Sequence, residues 1–275
     1  MSRTTPLLAV DGTGLAWRAA CGFPRRVRSR SGADITAVFG FFALVRKTHR
    51  ELAPGSEIVV CFDSETATNP RRSHFPDYKA GKWYQRELTP FDWLPAIYEG
   101  LDRLSVQWCE AQSWEADDDI ATLVGGINGR SAAIMSADRD FLQLVSRQVR
   151  LITPTRTYRV ADVLERYSVH PTQWCDFRAL TGDPSDNIPG VRGIGPKRAA
   201  YLLHRRRTLE TARLPDNWWG RRLRDEYEQA LQWRDLIRLQ HDQRTGVECL
   251  GRPSPELPRA ALVCELLDLW DAPRP

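Results

Sequence analysis

Lysine is nearly missing from this chain: Lys47, Lys79, Lys82 and Lys197 are the only four among 39 basic residues. Such an arginine bias reflects a GC-rich genome more than a function. Where lysine persists against it, a compact and mobile ammonium is the group wanted. Histidine is sparse and scattered (His49, His74, His170, His204, His241), which suits surface or packing roles better than catalysis. The six cysteines, Cys21, Cys61, Cys109, Cys175, Cys249 and Cys264, include no CxxC pair. That argues against a zinc site and fits reduced thiols in a cytoplasm. No apolar run reaches membrane-spanning length, and the N-terminal MSRTTPLLAVDG lacks a signal-peptide core. GxSxG, the P-loop and a GxGxxG after a strand are all absent, so serine-hydrolase and nucleotide-cofactor readings have little support.

What is present suits a globular protein. A chain of 275 residues, 42% hydrophobic and 27% charged, can bury a real core as one large domain or two smaller ones. A net charge of +4 and a pI near 8.8 permit a nucleic-acid partner without requiring one.

A repeated grammar runs through the first half: an apolar run that ends in aspartate. LLAV (7–10) leads into Asp11, IVVCF (58–62) into Asp63, and AAIM (132–135) by way of Ser136 and Ala137 into Asp138 and Asp140. Short runs rich in Val and Ile read as parallel strands buried on both faces, and VRLIT (149–153) adds another. Helical stretches at 36–52 and 92–105 alternate with them. The expectation is an α/β domain over residues 1–165, with a mostly parallel central sheet flanked by helices. From about 165 the pattern turns helical without strands. There, 214–220 reads as a linker, 221–241 as a basic amphipathic helix, and 259–270 as a last short helix.

Residues 113–124, SWEADDDIATLV, crowd Glu115, Asp117, Asp118 and Asp119 into five positions. Taken alone, the stretch reads as a helix start capped by Ser113, with acids favoured by the dipole. A helix beginning after Glu115 would pack Ala116, Ile120, Leu123 and Val124 on the sheet. In open parallel sheets, however, sites form beyond the carboxyl ends of the strands. Strands delivering Asp11, Asp63, Asp138 and Asp140 to that edge beside an acid-rich turn point to a functional cluster. Hard carboxylate oxygens without His or Cys select Mg²⁺ or Mn²⁺. Two such ions ~4 Å apart clamp the attacking and leaving oxygens of an in-line phosphoryl displacement.

Two further segments suit nucleic acid. Gly190–Ala199 (GVRGIGPKRA) is a glycine-rich turn opening a helix, in the form of a helix-hairpin-helix at about 182–205. Gly190, Gly193 and Gly195 would let backbone approach a phosphate, Pro196 suits the first helical position, and Lys197 and Arg198 supply charge. The segment at about 64–91 has no clear periodicity. It interleaves Arg71, Arg72, Lys79, Lys82 and Arg86 with Phe75, Tyr78, Trp83 and Tyr84, as single-strand binding sites do.

In order, VDGTGLAWRA, CFDS, FPDYKAGK, WEADDDIA, SADRDFLQL and LTGDPSDNIPGVRGIGPKRA resemble the 5′ nuclease (flap endonuclease) family. The closer likeness is to the 5′–3′ exonuclease domain of bacterial DNA polymerase I and to stand-alone phage enzymes. The resemblance implies a helical arch at 64–91 and a C-terminal DNA-binding region over 166–275. It implies two Mg²⁺ ions, replaceable by Mn²⁺. One would be held by Asp11, Asp63, Glu115, Asp117 and Asp118, and the other by Asp138, Asp140, Asp183 and Asp186. It gives Lys79 and Lys82 catalytic roles at the scissile phosphate, places Tyr78 to stack on a displaced base, and adds a K⁺ ion at the hairpin. Asp119 departs from the family pattern and is not expected to bind metal. The implied protein is a monomeric nuclease on 5′-flap or 5′-ended DNA in replication or repair, in a bacterial cytoplasm and encoded by bacterium or phage. Rival readings are a PIN-like endoribonuclease and a non-catalytic DNA-binding module with a structural cation.

Overall fold

The computed structural model describes residues 5–64, 69–80 and 91–272. Lys82, Trp83, Tyr84 and Arg86 of the expected arch lie outside them. The runs LLAV, IVVCF and AAIM are strands with every residue buried: β1 (Leu7–Asp11), β2 (Glu57–Phe62) and, after β3 (Gln107–Glu110), β4 (Ala132–Met135). With β5 (Val149–Ile152) and β6 (Thr157–Tyr158) they form one sheet of order β3-β2-β1-β4-β5-β6. All neighbours are parallel except β5 and β6. The chain lays β2 and β3 to one side of β1 and then crosses back to place β4 on the other. Strand order therefore reverses between β1 and β4, which opens a crevice at their carboxyl ends.

The period of two along β1 divides the core. Leu8 and Val10 pack with α1 (Gly12–Gly22) and α2 (Thr36–Leu52) on one face. Beyond α3 (Pro70–His74), α4 (Leu94–Arg103) joins the same face. Phe41, Phe42 and Phe62 are fully buried there, each stabilising by about 1.5–3 kcal/mol. Leu7 and Ala9 point to the other face, under α5 (Ala116–Gly125). Ala116, Ile120, Leu123 and Val124 of α5 are all buried, as their spacing predicts. The same core continues into α6 (Val160–Tyr167), α7 (Trp174–Thr181), α8 (Pro196–Leu202), α9 (Trp218–Asp225) and α10 (Tyr227–Ile237).

Three boundaries differ from expectation. The start of 92–105 is a 3-10 turn, Phe91–Trp93, before α4 begins with Pro95 in its first turn. The single helix expected over 221–241 is two helices, broken at Glu226. The first starts inside the expected linker because the Asn217 side chain accepts the Gly220 N–H at 2.9 Å. Finally, Leu257 and residues of α11 (Ala260–Leu266) return to the α2 face, so the tail packs with the α/β unit. Among the described residues, none after Tyr158 forms a strand, and no helix is long and apolar enough to cross a membrane.

Candidate metal centre and nucleic-acid interface

Asp11 ends β1 and caps α1: its carboxylate accepts the Gly14 N–H at 2.8 Å and the Ser136 hydroxyl at 2.6 Å. Asp63 is the first residue beyond β2. Its N–H donates to Thr13 Oγ1 at 2.8 Å, and its carboxylate accepts the Ala116 N–H at 2.9 Å. Beyond β4, Ser136 Oγ accepts the Asp138 N–H at 2.9 Å, and the Asp138 carboxylate accepts the Asp140 N–H at 2.8 Å. Three strand ends and the start of α5 are thus laced together at one edge of the sheet, where an open parallel sheet forms its site.

The carboxylates feel one another there. Burial pushes Asp11 up to about 6, and the neighbouring Asp63 and Asp138 add to it. Asp117 is held well above the usual carboxylate range by burial and then by Asp138, Asp11 and Asp63. Asp140 is raised well above that range in the same way, by burial and by Asp138, Asp186 and Asp183. These are the shifts that crowded, desolvated carboxyls show.

Asp140, Asp183 and Asp186 come closest: one oxygen from each lies within 4.8 Å of the others, and all three residues are buried. Among the described residues this is the only group that close, and Asp138 is not in it. Asp140 Oδ1 is buried without a hydrogen-bond partner. An orphaned carboxylate oxygen costs free energy unless something supplies positive charge. The donor set fits a hard divalent cation, because it consists of carboxylate oxygens with no thiol or imidazole. Asp183, by contrast, lies below the usual range. Burial would raise it, but hydrogen bonds from Ser185 and the Arg178 ion pair outweigh that.

The first-ion group is less gathered. Glu115 is the N-cap of α5, the role expected of Ser113, and its oxygens are taken by cations and a phenol. Lys79 Nζ lies 2.5 Å from Oε1, while Tyr78 Oη and Arg71 Nη1 lie 2.9 and 3.1 Å from Oε2. Burial would raise its pKa, but Lys79 and Arg71 reverse the direction and hold Glu115 below the ordinary value. Lys79 therefore sits in the acidic site.

Several expected roles change. Asp118 is fully buried and turned away: it pairs with Arg71 and accepts the Gln240 N–H at 2.8 Å, so no free oxygen faces the ion site. Arg71, expected to contact DNA, is 3% exposed and locked in that pair. Tyr78, expected to stack on a displaced base, is buried with its hydroxyl on Glu115 and its ring under the Lys79 ammonium. Gly190 serves packing rather than phosphate approach, because a Cβ there would lie 2.4 Å from Gly182 N. Arg72 and Lys197 are exposed, and Gly195 has open space around it as the N-cap of α8, with Pro196 first in the helix. Gly193 and Arg198 are engaged by Trp218. Asp119 has its carboxylate beside the Cys109 thiol.

Sequence reasoning missed Ser136, Arg178 and Asn187. Ser136 lies two residues before Asp138 and Arg178 five before Asp183, and that adjacency is their only signal, since the Ser136 bond to Asp11 spans 125 residues. Asn187 closes the GDPSDN turn at φ 59°, a left-handed conformation that Asn tolerates. Its amide donates to Asp77 O at 2.9 Å and Ala80 O at 2.7 Å, tying the turn that carries Lys79 to the loop that carries Asp183 and Asp186.

Comparison with known proteins matches residues 6–168 to the family described as 5′-3′ exonuclease, N-terminal resolvase-like domain. Residues 169–251 match 5′-3′ exonuclease, C-terminal SAM fold. Thermostable DNA polymerase I of Thermus thermophilus is 39% identical over 211 residues, covering 74% of this chain and 24% of that protein. Its Thermus aquaticus counterpart is 34% identical over 274 residues, covering 95% and 32%. The chain thus spans about a quarter to a third of the length of these relatives. Among solved structures, the bacteriophage T5 D15 protein co-crystallised with metal ions superposes with a TM-score of 0.70 at 22% identity, covering 84% of this chain and 89% of that one. The catalytic core of Rad2 in complex with DNA substrate gives 0.58 at 17%, covering 99% and 89%. At such identities these two show a shared fold.

Proposed function

This chain belongs to the 5′-3′ exonuclease family, and from that premise we propose that it is a Mg²⁺-dependent, structure-specific 5′ nuclease on DNA. Both flap endonuclease and 5′–3′ exonuclease activity, in replication or repair, are part of this reading. The observation that carries it is the convergence of Asp140, Asp183 and Asp186, with an orphaned Asp140 oxygen, beside Asp138, Asp117, Asp11 and Asp63 at the carboxyl ends of β1, β2 and β4.

Asp140, Asp183, Asp186 and Asp138 would hold one divalent ion, and Asp11, Asp63 and Asp117 the other, with Glu115 added if Lys79 turns from its Oε1 to a phosphate. Bound there, such ions lower the pKa of water and offset charge on a phosphate. The chain's own residues do the rest. Ser136 and Gly14 aim Asp11, Ala116 aims Asp63, and Asn187 fixes the turn from which Lys79 reaches the cluster. The Lys79 ammonium, in contact with Glu115, is positioned to offset charge on a phosphate drawn into the site. Lys197 and the open backbone at Gly195 are suited to duplex phosphates, and the K⁺ ion that the resemblance implies would sit at that hairpin.

The test is a labelled 5′-flap substrate incubated with and without Mg²⁺, with the cut position mapped. Cutting near the flap junction only with metal is expected. Asp63→Ala and Asp138→Asn should abolish it while DNA binding survives. Full cutting by either variant, or cutting of RNA in preference to DNA, would overturn the assignment.

A further inference from the structure

We propose that Trp218, Trp219 and Tyr201, with Arg198 clamped between the two indoles, form a stacking platform for unpaired nucleobases of the DNA substrate. The platform lies beside the hairpin, and the inference rests on the DNA-binding reading above and deepens it.

The four side chains interlock. The Arg198 guanidinium carbon lies 5.2 Å from the Trp218 ring centroid and 5.4 Å from that of Trp219, both within cation–π range. Its Nη1 donates to Gly193 O, which fixes the guanidinium to the hairpin turn. Trp218 lies so close to that turn that a Cβ on Gly193 would fall 2.3 Å from its ring. Tyr201, one turn along α8 from Arg198, meets Trp219 edge-on at 6.5 Å. Yet Trp218 remains 56% exposed and Tyr201 64%.

Large aromatic side chains that are held in place and still face solvent have already given up their rotamer freedom. That is the property of a binding hot spot, where Trp, Tyr and Arg are enriched. The surroundings select the occupant. Between residues 192 and 224 the chain carries ten Arg or Lys and two acids, and one of those acids, Glu210, is paired with Arg234. A polyanion with aromatic faces matches this surface in both charge and shape. Bases inside a duplex already stack on one another, so the occupant is the unpaired part of a DNA strand, held without regard to sequence.

The test measures affinity of the full chain in EDTA, which prevents cutting, for a blunt duplex and for the same duplex with a single-stranded extension, at several salt concentrations. Trp218→Ala should bind the extended DNA about tenfold more weakly, the loss of one base–aromatic stack. It should leave the blunt duplex unchanged. The slope of log K against log salt should also stay as in wild type, because no cation is removed. Trp218→Phe should restore most of the affinity, and Tyr201→Ala gives an independent arm should Trp218→Ala fail to fold. Wild-type affinity of Trp218→Ala and Tyr201→Ala for the extended DNA would overturn the platform. So would an equal loss on both DNAs, which would mean that the indole only shapes the hairpin. A wild-type chain that binds neither DNA would instead defeat the nuclease reading and this inference with it.

Discussion

Arg71 and Asp118 form a buried fork, with Nη1 to Oδ2 and Nη2 to Oδ1 both at 2.7 Å. The remaining donors are also used: Nε on Leu236 O at 2.9 Å, Nη1 on Glu115 at 3.1 Å and Nη2 on Arg238 O at 3.0 Å. One guanidinium, with its five N–H groups all placed, joins α3 to the start of α5 and the end of α10. Its rigid fork cannot be copied by the three mobile donors of lysine.

Removing one partner of such a pair leaves an uncompensated buried charge. Arg71→Met should therefore cost about 3–5 kcal/mol in urea unfolding. Asp118→Asn should also lower the melting temperature while leaving Mn²⁺ binding, followed by calorimetry, close to wild type. Loss of Mn²⁺ binding with an unchanged melting temperature would return Asp118 to the metal ligands.

Asp140 makes the opposite prediction. In metal-free protein its carboxylate is buried beside Asp138, Asp183 and Asp186 with one oxygen unpartnered. Asparagine has the same shape without the charge, so Asp140→Asn should stabilise the chain in EDTA by ~0.5–2 kcal/mol, as relief of functional-site strain often does. The same variant should lose cleavage and most of the rise in melting temperature that Mg²⁺ gives wild type, since a ligand stabilises only what it binds. A variant less stable than wild type in EDTA would show that the carboxylate is structural.

Tyr78 separates two roles that sequence cannot. If its hydroxyl matters through Glu115, at 2.9 Å, then Tyr78→Phe should slow single-turnover cleavage while DNA affinity is unchanged. A ring that stacks on a base would be served equally well by phenylalanine, and only Tyr78→Ala would then show a defect. Lys79→Ala should reduce the cleavage rate by ~10²–10³, the range for losing one preorganised electrostatic group.

The sheet was readable because its strands are buried on both faces. Burial of that kind leaves an apolar run in sequence, and a strand end leaves an aspartate. For the same reason the sequence alone puts Asp11, Asp63, Asp138 and Asp140 at one edge of the sheet. What stayed hidden are pairings between distant residues. Arg71 looks like any cation in an arginine-rich segment until α10 covers it, 165 residues away in sequence from the Leu236 carbonyl that it meets. Trp218 looked like linker because WWG has no periodicity of its own; its neighbours, Gly193 and Arg198, come from the hairpin. Asp118 differs from Asp117 only by one position on α5, yet that rotation of about 100° turns it from the cluster to the helical side.

Asn187 links the two halves of the site, and the last prediction isolates that link. Its left-handed backbone is strained for most residues but free for glycine, so Asn187→Gly removes the amide without adding strain. The lost groups are two hydrogen bonds to Asp77 and Ala80, each worth about 0.5–1.5 kcal/mol net. Global stability should fall by little, because both lost bonds are exposed to solvent. Lys79, two residues beyond Asp77, would keep only the long bond from its own N–H to Asp186 O, at 3.4 Å, as a tie to that loop. The expected outcome is a clear drop in single-turnover rate at saturating Mg²⁺, with Mn²⁺ affinity retained, since Asp140, Asp183 and Asp186 are untouched. Hydrogen exchange at residues 77–80 should quicken in parallel. A variant that cuts at the wild-type rate despite faster exchange there would show that Lys79 reaches its place without help from the acidic loop.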